Sequence, residues 1–216
     1  MDVSRFLSAA AQGDLATIKH FQSAVDSRIA FQACGSDGNN ALHTALLHGK
    51  WTLALYLMRE MRVSQHKLNA VKESVLHSYV RGVKSYGAPT VEDLAEFREE
   101  QLQVWREEYA LNKEKEVAIL EAHPEAQPIP IPGVEARDLE VFGNIELTLP
   151  RYFIESGHVY LYTKNTSGAT CRDLAHNLSL DTLSTFFEEQ MEPAAAKRRL
   201  LQGLSDDLFR EVVEFL

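Results

Sequence analysis

The sequence predicts an all-α fold, namely a helical-repeat solenoid with an inserted long helix and short C-terminal capping helices. A pattern of apolar helix, glycine and second apolar helix recurs along the chain. About thirty residues after Pro89 contain no residue that breaks a helix. Pro193 and Ser205 are each typical of a helix N-terminus, so we expect two short helices near the end of the chain.

The composition is that of an ordinary globular protein. Of 216 residues, 45% are hydrophobic and 25% are charged, which suffices for one sizeable core or an elongated array. The net charge of −9 repels phosphate backbones, so we expect no nucleic-acid partner. The chain shows neither a signal peptide nor an apolar run long enough to span a bilayer. We therefore expect a cytoplasmic protein, one delivered into a host cell included, with no membrane partner.

The best-formed repeat runs from Asp37 to Gly49 with the sequence DGNNALHTALLHG, and an apolar segment up to Met58 follows it. Gly38 permits the turn that starts the repeat. Asn40 can cap the first helix by accepting a backbone N–H, and Gly49 can end that helix in a left-handed conformation. The segment therefore has the start and stop signals of a helical hairpin.

This segment resembles the ankyrin repeat, whose pattern D-x-x-G-x-T-P-L-H-x-A-x-x-x-G precedes an apolar second helix. The resemblance implies that Leu42 faces the core between repeats and that His43 bonds to the backbone of a neighbouring loop. It also implies that Ala45 is small so that two antiparallel helices can approach each other.

The position of His43 recurs at intervals close to the repeat length. The equivalent residues are Leu7, His77, Arg137 and Asp173, so successive steps are 36, 34, 60 and 36 residues. These steps fit a period of about 33 residues, except that the third contains roughly 27 additional residues. We interpret residues 1–190 as an array of five divergent repeats, with a helical insertion at about 84–130.

The later repeats depart from the pattern. Gly82 closes the third repeat one place early, and Tyr79 replaces its small residue. Tyr152–Gly157 looks like the second helix of a fourth repeat. In the fifth, Thr170 is the expected cap, and Arg172 at the leucine position weakens the inner packing. An alternative for residues 138–163 is a pair of β-hairpins, because apolar residues alternate there.

The insertion predicts one long helix. Thr90 and Asp93 form a capping-box start, and the helix is expected to continue to Glu121. Its apolar positions are Val91, Leu94, Leu102, Trp105, Tyr109 and Leu120. We favour a helix packed back on the array over an arm that binds a partner. The proline-rich segment Pro124–Pro132 is predicted to be an extended linker.

Residues 191–216 are predicted to be a C-terminal helical cap or tail. Within it, Leu204–Leu216 is weakly similar to the first helix of an F-box, although Ser205 stands where proline is usual. That similarity implies docking on the adaptor of a cullin ubiquitin ligase.

No pattern in the chain predicts catalysis. The histidines lie singly, without an HExxH sequence, a glycine-flanked nucleophile or paired cysteines. Cys34 and Cys171 match no metal-ligand spacing, and we expect both to be reduced. We therefore expect no catalytic residue, no metal, no cofactor and no small-molecule substrate.

The ankyrin resemblance implies recognition of another protein on a concave surface formed by turns and first helices. By repeat position, the implied contact residues are Ser36, Asp37, Asn39, Leu47, His48, Lys50, Asn165, Thr166, Ala169, His176 and Asn177. The expected function is a scaffold or adaptor, whose partner has a basic or mixed surface. The alternatives are a structural subunit of a large assembly and a ubiquitin-ligase substrate adaptor that uses the tail.

Overall fold

The computed structural model describes residues 3–24, 33–122, 144–155 and 160–202. Its helices are α1 (Val3–Gln12), α2 (Leu15–Ala24), α3 (Ala41–Leu47), α4 (Trp51–Arg59), α5 (Val75–Tyr86), α6 (Ala95–Ala122), α7 (Thr148–Glu155), α8 (Cys171–Asn177) and α9 (Asp181–Gln202). A 3₁₀ turn at Ile145–Leu147 precedes α7. The described residues contain no strand apart from one isolated bridge between Cys34 and Asn40. The all-α prediction is confirmed, and the β-hairpin alternative is wrong for residues 145–155, which are helical.

Eight of the described helices, all except α6, form four pairs. Helices α1, α3, α5 and α8 contact one another in that order, and α2, α4, α7 and α9 each pack on one of them. The expectation of a separate repeat between His77 and Asp173 is wrong, because α8 contacts α5 directly. Helix α7 is thus the partner of α5, although the insertion separates the two in sequence. Arg137, the expected reference position of that repeat, lies outside the described residues.

Helices α3, α5 and α8 begin at side-chain caps, which were predicted at Asn40 and Thr170. Asn40 Oδ1 accepts a hydrogen bond of 3.0 Å from the backbone N–H of His43. Thr170 and Asp173 form a capping box at the start of α8, and Ser74 forms one with His77 at the start of α5. Because each cap satisfies N–H groups that lack partners within the helix, these three helices start at defined residues.

Arg172 does not enter the core. Its side chain is about 40% exposed and lies 2.7 Å from an Asp173 carboxylate oxygen and 3.9 Å from Glu188. The buried positions of α8 are Cys171, Leu174 and Ala175. The apolar contact to α5 is therefore made by neighbours of Arg172, and the arginine remains on the surface.

The expectation that Gly82 ends the first helix of the third repeat is wrong. That helix, α5, continues to Tyr86 and stops at Gly87. A Cβ atom at Gly82 would lie 2.0 Å from the carbonyl oxygen of Leu46. Glycine is needed there for the close approach of α5 to α3.

Tyr79 is completely buried, and its hydroxyl donates to the Glu146 carbonyl at 2.6 Å. This bond connects α5 with the chain that returns after the insertion.

Among its described side chains, helix α6 packs on the other helices at its start. Asp93 accepts hydrogen bonds from Thr90, as a capping box requires, and Leu94 and Phe97 are buried. Beyond Arg98, no described side chain of this helix is buried. With 28 residues, the helix is about 42 Å long at 1.5 Å per residue. The prediction of a helix is confirmed, and its packing on the other helices is seen at the buried residues Leu94 and Phe97.

Two expectations about the C-terminal part have different outcomes. A helix was expected to begin at Pro193, but α9 continues without interruption from Asp181 to Gln202. The F-box-like segment and the proline-rich linker lie outside the described residues.

Replacing Gly82 with alanine is expected to destabilise the protein by about 3 kcal/mol, because the methyl group would overlap a backbone oxygen that cannot rotate away. Urea unfolding at neutral pH measures the change. Ser85→Ala, at an exposed position of the same helix, serves as the control and should leave stability almost unchanged. Equal stability of the two variants would contradict the close helix contact.

Candidate protein-binding surface

The turns that precede α3, α5 and α8 share one hydrogen-bonding pattern. In each, the first residue donates its N–H to the carbonyl of the fifth: Gly35 to Asn39, Asn69 to Glu73 and Asn165 to Ala169, at 2.9–3.0 Å. The fourth residue of each turn has a positive φ, 75° at Gly38, 59° at Lys72 and 82° at Gly168. The three turns therefore have equivalent backbone conformations at equivalent places in the chain.

Backbone hydrogen bonds also join each turn to the next. The Ala70 N–H donates to the Asp37 carbonyl, and the Thr166 N–H donates to the Val71 carbonyl, both at 2.9 Å. A Cβ atom at Gly38 would lie 2.6 Å from the Ala70 nitrogen, so glycine permits this spacing. The turns consequently form one continuous row whose spacing is set by the backbone.

Two buried histidines hold the first helices to the turns that follow them. His43 Nε2 lies 3.3 Å from the Glu73 carbonyl, and His77 Nε2 lies 3.2 Å from the Ala169 carbonyl. The bond predicted from His43 to a neighbouring loop is confirmed, and His77 makes the equivalent one. Burial lowers the pKa of His43 to about 4 and lowers the pKa of His77 as well, so both rings are neutral at pH 7.

Glu73 connects the second turn with the third. Arg81 donates from Nε to both of its carboxylate oxygens at 3.1 Å, and Asn165 Nδ2 donates to it at 3.3 Å. Burial by itself would raise the pKa of Glu73. The hydrogen bonds from Arg81 and Asn165 outweigh that effect and hold the pKa below its ordinary value. The carboxylate is therefore charged and structural.

Asn39, Asn165 and Ala169 have structural roles in the turns, and burial of the two asparagines corrects their assignment as contact residues. Asn39 is 8% exposed, and its Oδ1 accepts a hydrogen bond from Asn69 Nδ2. Asn165 is also 8% exposed, and its Oδ1 accepts the N–H groups of Ser167 and Ala169. The Ala169 carbonyl bonds to His77. The two asparagines shape the turns from buried positions, and the Ala169 side chain is half-buried.

The remaining expected contact residues fall into two groups. Ser36, Asp37 and Thr166 are exposed at the tips of the turns. Leu47, His48, Lys50, His176 and Asn177 lie at the opposite ends of α3 and α8, exposed or half-buried. A seven-residue helix is about 10 Å long, so this distance separates the two groups.

The middle turn contributes exposed residues that the sequence interpretation missed. Val71 is 45% exposed and Leu68 is 42% exposed, and Ala70 and Lys72 are exposed as well. Counting 34 residues from Ser36 would have found Ala70. The turn escaped notice because Lys72 stands where the first turn has Gly38. We call the exposed tips of all three turns the turn surface: Ser36, Asp37, Ala70, Val71, Lys72, Thr166 and Ser167.

Two observations concern metal ligands and thiols among the described residues. They contain no group of three or more His, Cys, Asp or Glu side chains able to hold a metal ion. Burial raises the pKa of Cys171 to about 12, so its thiol stays protonated at pH 7. Among the described helices, none has both the length and the apolar character needed to cross a membrane.

Comparison with known proteins identified no family. No family model matches the chain, and neither does any curated protein. One solved structure aligns with it, a complex of the predatory endopeptidase Bd0816 from Bdellovibrio bacteriovorus with the immunity protein Bd3460. The alignment covers 85% of this chain and 96% of that chain at 19% identity, with a TM-score of 0.32. A similarity this low supports no conclusion about fold or function.

Stability is expected to fall as the pH is lowered from 6.5 to 4. In this range the unfolded chain protonates His43 and the folded chain does not, so the unfolded state binds more protons. The loss between pH 7 and pH 5 should be about 2 kcal/mol from this residue. Urea unfolding at both pH values measures it.

The His43→Gln variant should be less stable at pH 7 and show a weaker pH dependence. His176→Gln, at an exposed position, should behave as the unmodified protein does. If His43→Gln kept the full pH dependence, the buried neutral histidine would not be its source.

Proposed function

We propose that this chain is a non-catalytic protein-binding module, a scaffold or adaptor of the ankyrin type. The observation that supports it is the row of three equivalent turns joined by backbone hydrogen bonds. In such arrays, exposed residues on the turns and first helices contact a partner protein, while the repeated backbone supports them. The turn surface and the exposed ends of α3 and α8 would together form the concave binding face.

The physical argument is preorganisation. The tips are held by bonds such as Ala70 N–H to Asp37 O, so little conformational entropy would be lost when a partner binds. Val71 offers apolar area, and Asp37 and Lys72 offer opposite charges close by. That combination suits a protein surface of mixed character.

A hydrolytic function has weaker support. Asp173, His176 and Ser184 line a cleft of about 250 Å³ on α8 and α9, and these are the residue types of a hydrolase triad. Asp173, however, accepts hydrogen bonds from Thr170 and Arg172, which hold its pKa at about 2. We assign this carboxylate to the helix cap and not to orienting a catalytic histidine.

A structural subunit of a larger assembly is the second candidate, because α6 is exposed along most of its length. Val104, Leu111, Val117 and Ile119 are each about half exposed on it. In that case α6 would dock on a neighbouring subunit. The ubiquitin-ligase adaptor hypothesis depends on residues 204–216 and stays a prediction.

Val71→Asp is expected to weaken partner binding by at least about tenfold, since a charge would replace an apolar contact at the centre of the turn surface. The backbone bond from Thr166 to Val71 does not involve the side chain, so the fold should be retained. Quantitative affinity purification from producing cells identifies partners, and titration with a purified partner measures the affinity.

Val117→Asp provides a matched control, because Val117 is 54% exposed and lies on α6. Loss of the partner with Val71→Asp alone supports the turn surface. Loss with Val117→Asp alone would instead support docking through α6. Retention of every partner by both variants would contradict binding at either place.

A further inference from the structure

A second cleft lies between the end of α4, the loop that follows it, and α7. Its volume is about 460 Å³, and its lining residues are Met58, Arg59, Arg62, Val63, Ser64, Gln65, His66 and Tyr152. None of these belongs to the turn surface. We call this the loop cleft.

The loop cleft is electropositive in a chain whose net charge is −9. Arg59, Arg62 and His66 line it, and none of its described lining residues is a carboxylate. Glu60 lines a neighbouring cleft with Asp93 and Glu96 instead. Residues 33–86 contain seven Lys or Arg and three Asp or Glu, so this part of the chain has an excess of cations.

The two arginines have different surroundings. Arg59 forms an ion pair with Glu100 and lies 5.6 Å from the centre of the Phe97 ring, so its charge is partly compensated. Arg62 is exposed, and no ion pair with a described residue is seen for it. Its φ of 51° is in the left-handed region, which is unfavourable for a residue with a side chain. Arg62 is therefore the group best placed to bind an anion.

Gln65 adds a requirement for a hydrogen-bond donor. Its Oε1 is buried and has no hydrogen-bond partner in the described structure. A buried acceptor without a partner is unfavourable, and a donor from a ligand would offset that cost. The lining also offers apolar surface from Met58, Val63 and Tyr152.

We propose that the loop cleft binds an acidic peptide segment of a partner protein. An Asp or Glu carboxylate of that segment would pair with Arg62, and one of its backbone N–H groups would donate to Gln65. Its apolar side chains would pack on Met58 and Val63. An inorganic anion supplies the charge but neither the N–H donor nor the apolar surface, so a peptide fits the lining better. This site is separate from the turn surface and does not depend on its function.

Selection of random-sequence peptides by the full chain tests the proposal. The selected peptides should be enriched in Asp and Glu next to apolar residues. Raising the salt concentration from about 50 to about 300 mM should weaken their binding to the chain. Arg62→Asn removes the charge, and asparagine tolerates the left-handed backbone. This variant should bind the selected peptides at least about tenfold more weakly, as measured by fluorescence anisotropy.

Three further variants test whether the position of the charge, the Gln65 acceptor or the turn surface is responsible for peptide binding. Lys115→Asn removes one charge from the exposed part of α6 and should bind as the unmodified chain does. Gln65→Met should keep or raise stability and weaken binding. Val71→Asp should bind the peptides fully, so failure at the turn surface is distinguishable from failure here.

Several outcomes would overturn the proposal. These are selected peptides without acidic enrichment, equal peptide affinity of Arg62→Asn and the unmodified chain, and inorganic phosphate that displaces the peptides at micromolar concentration. Self-association that Arg62→Asn abolishes in sedimentation experiments would show that a second copy of the chain occupies the cleft.

Discussion

The rest of the structure depends on the hydrogen bonds that join α3 and α5 to the turn that follows each of them in space. His43 belongs to one helix pair and the Glu73 carbonyl to the next, and His77 stands in the same relation to Ala169. Buried polar groups must be paired, so each bond fixes one position of the neighbouring pair. The backbone bonds between the turns add the same constraint at the tips.

This constraint explains how the array accommodates its insertion. His43 and Glu73 are 30 residues apart, whereas His77 and Ala169 are 92 residues apart, yet the two contacts are equivalent. The entropy of closing a loop grows only slowly with its length, so a long excursion costs little more than a short one. The hydrogen bond from Tyr79 to Glu146 then holds the returning chain against α5. The insertion can therefore project α6 without disturbing the row.

The net charge of −9 conceals an uneven distribution. The part from residue 33 to residue 86 has an excess of cations, and α6 presents acidic side chains such as Glu99, Glu107 and Glu114. The turn surface and the loop cleft also differ in charge: the turn surface has mixed charge, and the loop cleft is positive. Charges separated by more than about a Debye length are screened from each other, so a partner responds to the charge of the surface it contacts. The net charge of the whole chain therefore does not identify the partner.

The sequence by itself determined the features that depend on neighbouring residues. Caps at Asn40 and Thr170, positive φ at Gly38 and Gly49, and the all-α class each follow from contacts within one turn of chain. Only the tertiary structure decided that α7 partners α5, that Gly82 lies against α3, and that Asn39 and Asn165 are buried. Those outcomes depend on groups that are distant in sequence, and a local pattern contains no record of which distant groups will meet.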